Sequence, residues 1–187
     1  MKLVNQCNGN FAIEYVENEK QELSCTIRDI ESNEIISDLT FTQLTDDGKT
    51  RILISLPHAG KYKVSFFQQD DTMEESTYCG EMILDSKKAG TIVYPKTYEN
   101  YGAEKEGLLL SPIEGPLERG KTYKFSVKSQ YSAIEIIIDG KWQTLEAEGD
   151  GIYSKTVEIP SNAKNLKISV NNGTSESYWT LVSYTLK

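Results

Sequence analysis

Apolar and polar side chains alternate along most of this chain with a period of two, the pattern of strands that bury one face and wet the other. In the first half, Phe11, Ile13 and Tyr15 share one face, followed by Leu23, Cys25 and Ile27. Ile35 and Ile36 form a short apolar pair, and residues 41–44 form another segment. Ile52, Ile54 and Leu56 alternate, as do Tyr62, Val64 and Phe66, and Met82 with Leu84 closes the set. These segments predict about seven short strands separated by turn residues.

The second half repeats the count. Leu108 and Leu110 lead to Tyr123, Phe125 and Val127, and then to the continuous apolar run 134–138. Asp139-Gly140 predicts a two-residue hairpin turn, because both positions tolerate positive φ. Trp142 and Leu145 fall on the return strand, then come Tyr153, Val157 and Ile159, Leu166, Ile168 and Val170, and a last strand within 178–186. The one helical candidate is a turn or so over residues 98–105. Ser86-Lys87-Lys88-Ala89-Gly90 reads as a short linker. The fold class is therefore all-β: two tandem immunoglobulin-like β-sandwiches, residues 1–88 and 89–187, with about seven strands each. Gly60-Lys61-Tyr62 predicts a tyrosine corner, in which a phenol bonds back to the chain where a strand begins, and Gly151 with Tyr153 looks like its counterpart. Cys25 falls near the strand B position, but Val64 stands where its disulfide partner on strand F would be, so a buried free thiol is expected.

Charge divides unevenly between the halves. The chain holds 20 Lys plus Arg against 28 Asp plus Glu, a net charge of −8. Residues 1–90 carry 9 basic and 16 acidic side chains, net −7, against 11 and 12, net −1, for residues 91–187. An acidic chain without a basic stripe argues against nucleic acid as a partner. Mean hydropathy is −0.47, and no run approaches the roughly 20 apolar residues that cross a bilayer, so no membrane insertion is expected. Residues 1–6 lack the apolar stretch of a signal peptide, which fits the cytoplasm for a full-length chain and leaves export open for a fragment. Three cysteines without a CxxC pair and a single histidine, His58, give no metal-ligand spacing, and no metal or cofactor is expected.

Several stretches of the second half carry a more specific resemblance. Tyr94-Pro95-Lys96-Thr97-Tyr98, Gly107-Leu108-Leu109-Leu110-Ser111-Pro112 and Gly115-Pro116-Leu117-Glu118-Arg119-Gly120 are the first three. With Tyr123-Lys124-Phe125 and Asp139-Gly140-Lys141-Trp142, they are similar to the immunoglobulin-like region that follows the transglutaminase-like domain in the kyphoscoliosis peptidase and hillarin family, which has bacterial relatives. Leu56-Pro57 and Gly60-Lys61-Tyr62 resemble the preceding immunoglobulin-like repeat of the same proteins. The resemblance implies a non-catalytic region: the family's Cys–His–Asp chemistry belongs to the transglutaminase-like domain, which has no counterpart here.

Two groups of residues are candidates for binding. Asp70, Asp71, Glu74 and Glu75 form an acidic loop whose oxygens could meet Ca²⁺, although the spacing matches no calcium motif and a solvated loop explains it as well. Tyr94, Tyr98, Tyr101 and Trp142 are aromatics without an evident strand role, expected either to pack at the domain junction or to offer a stacking surface to a sugar. His58, beside Pro57 and Gly60, reads as a solvated loop residue. The reading that follows is a non-catalytic interaction module whose partner is a protein or a neighbouring domain. A carbohydrate-binding module using exposed Tyr and Trp is the alternative, and a cysteine-type hydrolase or transglutaminase is the least supported.

Overall fold

The computed structural model describes residues 1–15, 21–37, 39–45, 49–70, 76–102, 106–173 and 176–187, with backbone alone for 21, 22, 69 and 70. No described residue is helical, including those within 98–105. The chain divides into two units, Met1–Ile92 and Val93–Lys187. The expected linker ends short of this division. The Gly90 amide donates to Leu56 O at 2.6 Å and the Ile92 amide to Asn10 Oδ1 at 3.4 Å, so residues 89–92 are tied to the first unit.

In the first unit, β1 (Lys2–Cys7), β2 (Asn10–Tyr15), β3 (Gln21–Asp29), β4 (Ile35–Ile36), β5 (Thr40–Leu44), β6 (Thr50–Ser55), β7 (Gly60–Asp70) and β8 (Thr77–Ser86) form two sheets ordered β1-β2-β6-β5 and β4-β3-β7-β8. In immunoglobulin lettering these are A-B-E-D facing C′-C-F-G. Ile13 and Ile54 from one sheet, Leu56 just past β6, and Ile27, Tyr62, Val64, Phe66 and Leu84 from the other sheet are sealed into the core.

The second unit repeats the order. Its strands are β9 (Lys96–Thr97), β10 (Leu108–Ser111), β11 (Thr122–Lys128), β12 (Ala133–Ile138), β13 (Lys141–Thr144), β14 (Glu146–Gly149), β15 (Ile152–Glu158), β16 (Leu166–Asn171) and β17 (Trp179–Tyr184). The sheets run β10-β11-β15-β14 and β13-β12-β16-β17-β9, again A-B-E-D against C′-C-F-G, with β9 added outside β17. Phe125 meets Tyr184 edge-on at 5.7 Å in a core lined by Val127, Ile134, Ile136, Ile168, Val170 and Val182. The Asp139-Gly140 hairpin forms as expected, with φ of 47° and 79°.

Three strand readings need correction. The chain starts with a strand, β1, that the hydrophobic pattern did not reveal: five of its six residues are exposed, so it pairs with β2 without a buried stripe. Cys25 lies on β3, the C position, because β1 and β2 take A and B. It sits in the same sheet as β7, where Phe66 is its cross-strand partner, so it could not link the two sheets. Tyr153 lies on β15, an E strand, and is no counterpart of Tyr62 on the F strand β7.

Candidate functional site

A polar constellation closes the corner where β6 gives way to β7. The Tyr62 ring is core, while its hydroxyl donates to His58 O at 3.1 Å and lies 2.9 Å from His58 Nδ1. This is the tyrosine corner that the Gly60-Lys61-Tyr62 sequence predicted. Burial and the nearby Asp29 charge raise the Tyr62 phenol, keeping it a donor. His58 is exposed, as expected of a loop residue, and its Nε2 lies 3.3 Å from Asp29 Oδ2. Asp29 is buried at the end of β3, and its Oδ1 accepts the amides of Glu31 at 2.8 Å and Ser32 at 3.1 Å. Asp29 Oδ2 faces Nε2, and Nδ1 lies 2.9 Å from Ala59 O as well as from the Tyr62 hydroxyl, so both ring nitrogens face oxygen atoms. Asp29, His58 and Tyr62 thus form a chain that resembles the orienting half of a catalytic triad, yet its far end is a phenol bonded to backbone rather than a nucleophile.

The cysteines stand apart from that chain. Cys25 is four residues from Asp29 along β3, about 13 Å at strand rise. It is partly buried against the core, and burial pushes its thiol up to about 11, away from the reactive thiolate. Cys79 is exposed on β8, its sulfur donating to Thr77 O at 3.3 Å. Among the described residues, no group of three or more His, Cys, Asp or Glu side chains is placed to hold a metal ion. Of the acidic loop, Asp71, Glu74 and Glu75 lie outside the described residues, and Asp70 ends β7 with only its backbone described.

The four aromatics do not form one surface. Tyr101 is buried in the second unit, and burial holds its phenol far above the usual tyrosine range. Tyr94 is half-buried, its phenol pushed up to about 12 by burial and by the Glu114 charge. Tyr98 follows β9 at one edge of the five-stranded sheet, its hydroxyl 3.2 Å from Ser183 Oγ. Trp142 lies on β13 at the opposite edge, 54% exposed, with Tyr178 edge-on at 4.9 Å. Tyr178 falls at the start of the last expected strand, and nothing in its strand pattern separates it from the core tyrosines.

The first unit carries a second surface that sequence alone did not single out. On the outer face of its β4-β3-β7-β8 sheet, pairing aligns Ile35, Arg28, Lys63 and Ile83 in one row across all four strands. Ile35 and Ile83 stand exposed at its two ends. Further along the same face Phe67 pairs with Tyr78, their rings 6.0 Å apart edge to face. Glu81 lies between these rows, 3.6 Å from Lys63 Nζ and accepting from the Tyr78 hydroxyl at 3.3 Å. Exposed apolar side chains at both edges of one sheet, around a fixed polar centre, make a surface suited to docking.

No family model matches the chain, and no curated protein matches it. Among solved structures it is similar to the Bacteroides ovatus mixed-linkage glucan utilization locus SGBP-B in complex with a mixed-linkage heptasaccharide, at 14% identity and a TM-score of 0.28. That match covers 100% of this chain and 44% of the other, so this chain spans under half of that protein's length. A titin Ig tandem-domain pair is similar at 14% identity and a TM-score of 0.28, over 96% of this chain and 90% of the other.

Proposed function

We propose that this chain is a non-catalytic tandem immunoglobulin-like interaction module that binds a protein through the outer β4-β3-β7-β8 face of its first unit. One observation carries the reading: the row Ile35, Arg28, Lys63, Ile83, apolar at both exposed ends and basic in the middle. An isolated exposed isoleucine is unremarkable, but two terminating one cross-sheet row, with the Phe67–Tyr78 pair beside them, give a partner several anchors on one rigid plane. The Asp29–His58–Tyr62 chain supports the non-catalytic part, since each of its polar atoms serves the corner. Association with a transglutaminase-like protein or domain belongs to the same proposal and rests on the sequence resemblance alone.

The test is the double variant Ile35→Glu/Ile83→Glu, measured against the protein that co-purifies with the native chain and is then produced separately. Binding should fall about a hundredfold while the melting temperature is kept, because charged groups replace two desolvated anchors. Equal binding by the double variant would sink the surface assignment. Amidase or transglutaminase turnover abolished by Cys25→Ala, Cys7→Ala or Cys79→Ala would sink the non-catalytic reading.

A further inference from the structure

In the second unit, the face of the five-stranded sheet turned away from the core contains a buried carboxylate. Ile134, Ile136 and Ile138 of β12 point into the core, so Glu135 and Ile137 point outward, yet Glu135 is only 8% exposed. Its Oε1 accepts from the Thr144 hydroxyl at 2.8 Å, while its Oε2 is closed off and has no hydrogen-bond partner. A carboxylate oxygen shut away from water and unpaired is an expensive arrangement, and such atoms call for an explanation.

Two aromatics lie over it: Trp142, exposed on the edge strand β13, and Tyr178, half-buried just before β17. Pairing puts Trp142 opposite Ile137 on this face, one row from the Thr144, Glu135, Ser169, Thr180 row that crosses four strands. Tyr178 precedes Trp179, whose partner Val170 faces the core, so Tyr178 falls on the outer side. β13 and β17 are three strand spacings apart, about 14 Å, and yet the Trp142 and Tyr178 rings meet at 4.9 Å. The rings therefore reach toward each other across β12 and β16, and the residues beneath that span are Glu135 and Ser169. Ser169, outward-facing like Glu135, is 1% exposed. Its hydroxyl lies 3.4 Å from that of Thr180.

We propose that this face binds a neutral saccharide: a pyranose ring stacks on the Trp142 indole in the place the Tyr178 ring takes in this structure, and its hydroxyls donate to Glu135 Oε2. Tyr178 is suited to moving aside, since it precedes β17 and its backbone is outside the ladder. An indole face supplies the apolar contact a sugar ring needs, and an acceptor-only carboxylate beside a line of hydroxyls matches a polyol's donors. A quaternary ammonium would also suit two rings and an acid, but Lys167 lies in the Trp142 row and stands exposed, disfavouring a cation. This site is separate from the protein-binding face of the first unit, so the two proposals fail independently.

The experiment uses the full chain carrying Trp179→Phe, which leaves Trp142 as its one indole, and follows that indole N–H by NMR. Hexasaccharides of glucose, mannose and xylose are titrated, with choline chloride as the cationic comparison. At least one hexasaccharide should shift the indole signal saturably, and Trp142→Ala and Glu135→Gln should each weaken binding about tenfold or more. Trp142 is exposed, so its alanine variant should keep the fold. Tyr178→Ala should bind as well as the parent or more tightly, because the ring that competes with the sugar is gone. No binding of any hexasaccharide up to about 10 mM, binding of choline alone, or a Tyr178→Ala loss as large as that of Trp142→Ala would each overturn the proposal.

Discussion

Asp29 Oδ2 stands 3.3 Å from His58 Nε2, so the last residue of β3 holds the corner that leads into β7. The second unit solves the same problem with another chemistry. Asp139, just past the end of the corresponding strand β12, accepts the Lys164 amide at 3.1 Å and the Asn165 amide at 2.9 Å where the chain enters β16. Both sandwiches thus pin the E–F corner with a carboxylate from the end of strand C. One uses an imidazole and a phenol as intermediaries, and the other bonds to backbone directly.

The two pins should differ in strength because water reaches them differently. Asp29 is 4% exposed and its amide bonds are partly buried, whereas the Asp139 bonds are exposed and water can replace them. Asp29→Ala should therefore destabilise the first unit by about 2–3 kcal/mol. Asp139→Gly, which keeps the left-handed turn unstrained, should cost the second unit less than about 1 kcal/mol. Chemical denaturation of each variant checks the order, and equal losses would contradict it.

Strand positions with a buried alternate face were legible in the sequence, and the tyrosine corner and the Asp139-Gly140 turn were legible from local chemistry. What escaped was whatever depends on sheet order. Cys25 shows the same alternation whether it sits on strand B or strand C, and only the hidden β1 decides between them. Glu135 interrupts an apolar run, but its burial on the outward face shows only in the assembled sheet, where β16 joins β12 and β13 from a distant place in the chain. Ile35 and Ile83 become neighbours in one row only after four strands are aligned.

Gly9 should be the least replaceable glycine of the first unit. Asn8 and Gly9 take φ of 46° and 78° in the β1–β2 turn, and a Cβ on Gly9 would overlap the backbone of Lys88, Ala89 and Gly90. Gly9→Ala should cost about 2–4 kcal/mol, combining left-handed strain with displacement of residues 88–90. Gly140→Ala, with φ of 79° and open space around its Cβ, should cost only the strain, about 1–2 kcal/mol. Comparable losses from the two variants would show that the close approach at Gly9 is unimportant.

Thiol labelling should separate Cys25 from the other two cysteines. Cys7 and Cys79 are exposed and should react within the mixing period of a native sample. With its thiol pushed up to about 11 by burial, Cys25 should react about 100-fold more slowly at pH 8 than in the unfolded chain. A Cys25–Cys79 disulfide is not expected. β3 and β8 are separated by β7, two strand spacings or about 10 Å, beyond the reach of the bond. Fast Cys25 labelling in the native state would mean that β3 opens locally.

Alkali should unfold the second unit through its phenols. Burial raises Tyr94 to about 12, holds Tyr101 higher still and holds Tyr184 well above the usual tyrosine range, whereas an unfolded tyrosine ionises near pH 10. Below pH 10 both states keep these protons, so the phenols leave stability unchanged with pH. Above it the unfolded chain releases protons that the folded unit retains, so unfolding is increasingly favoured as pH rises from about 10 to 12. The stabilisation from the protonated, buried phenols is thus complete below pH 10 and is lost through that window. In a spectrophotometric titration near 295 nm, Tyr101 and Tyr184 should stay silent until the unit unfolds, then appear together in one cooperative step. Tyr184→Phe should leave the signal before that step unchanged and reduce the step itself by one tyrosine. Smooth ionisation of Tyr184 while circular dichroism still reports an intact sheet would contradict the burial, and with it the placement of β17 against Phe125.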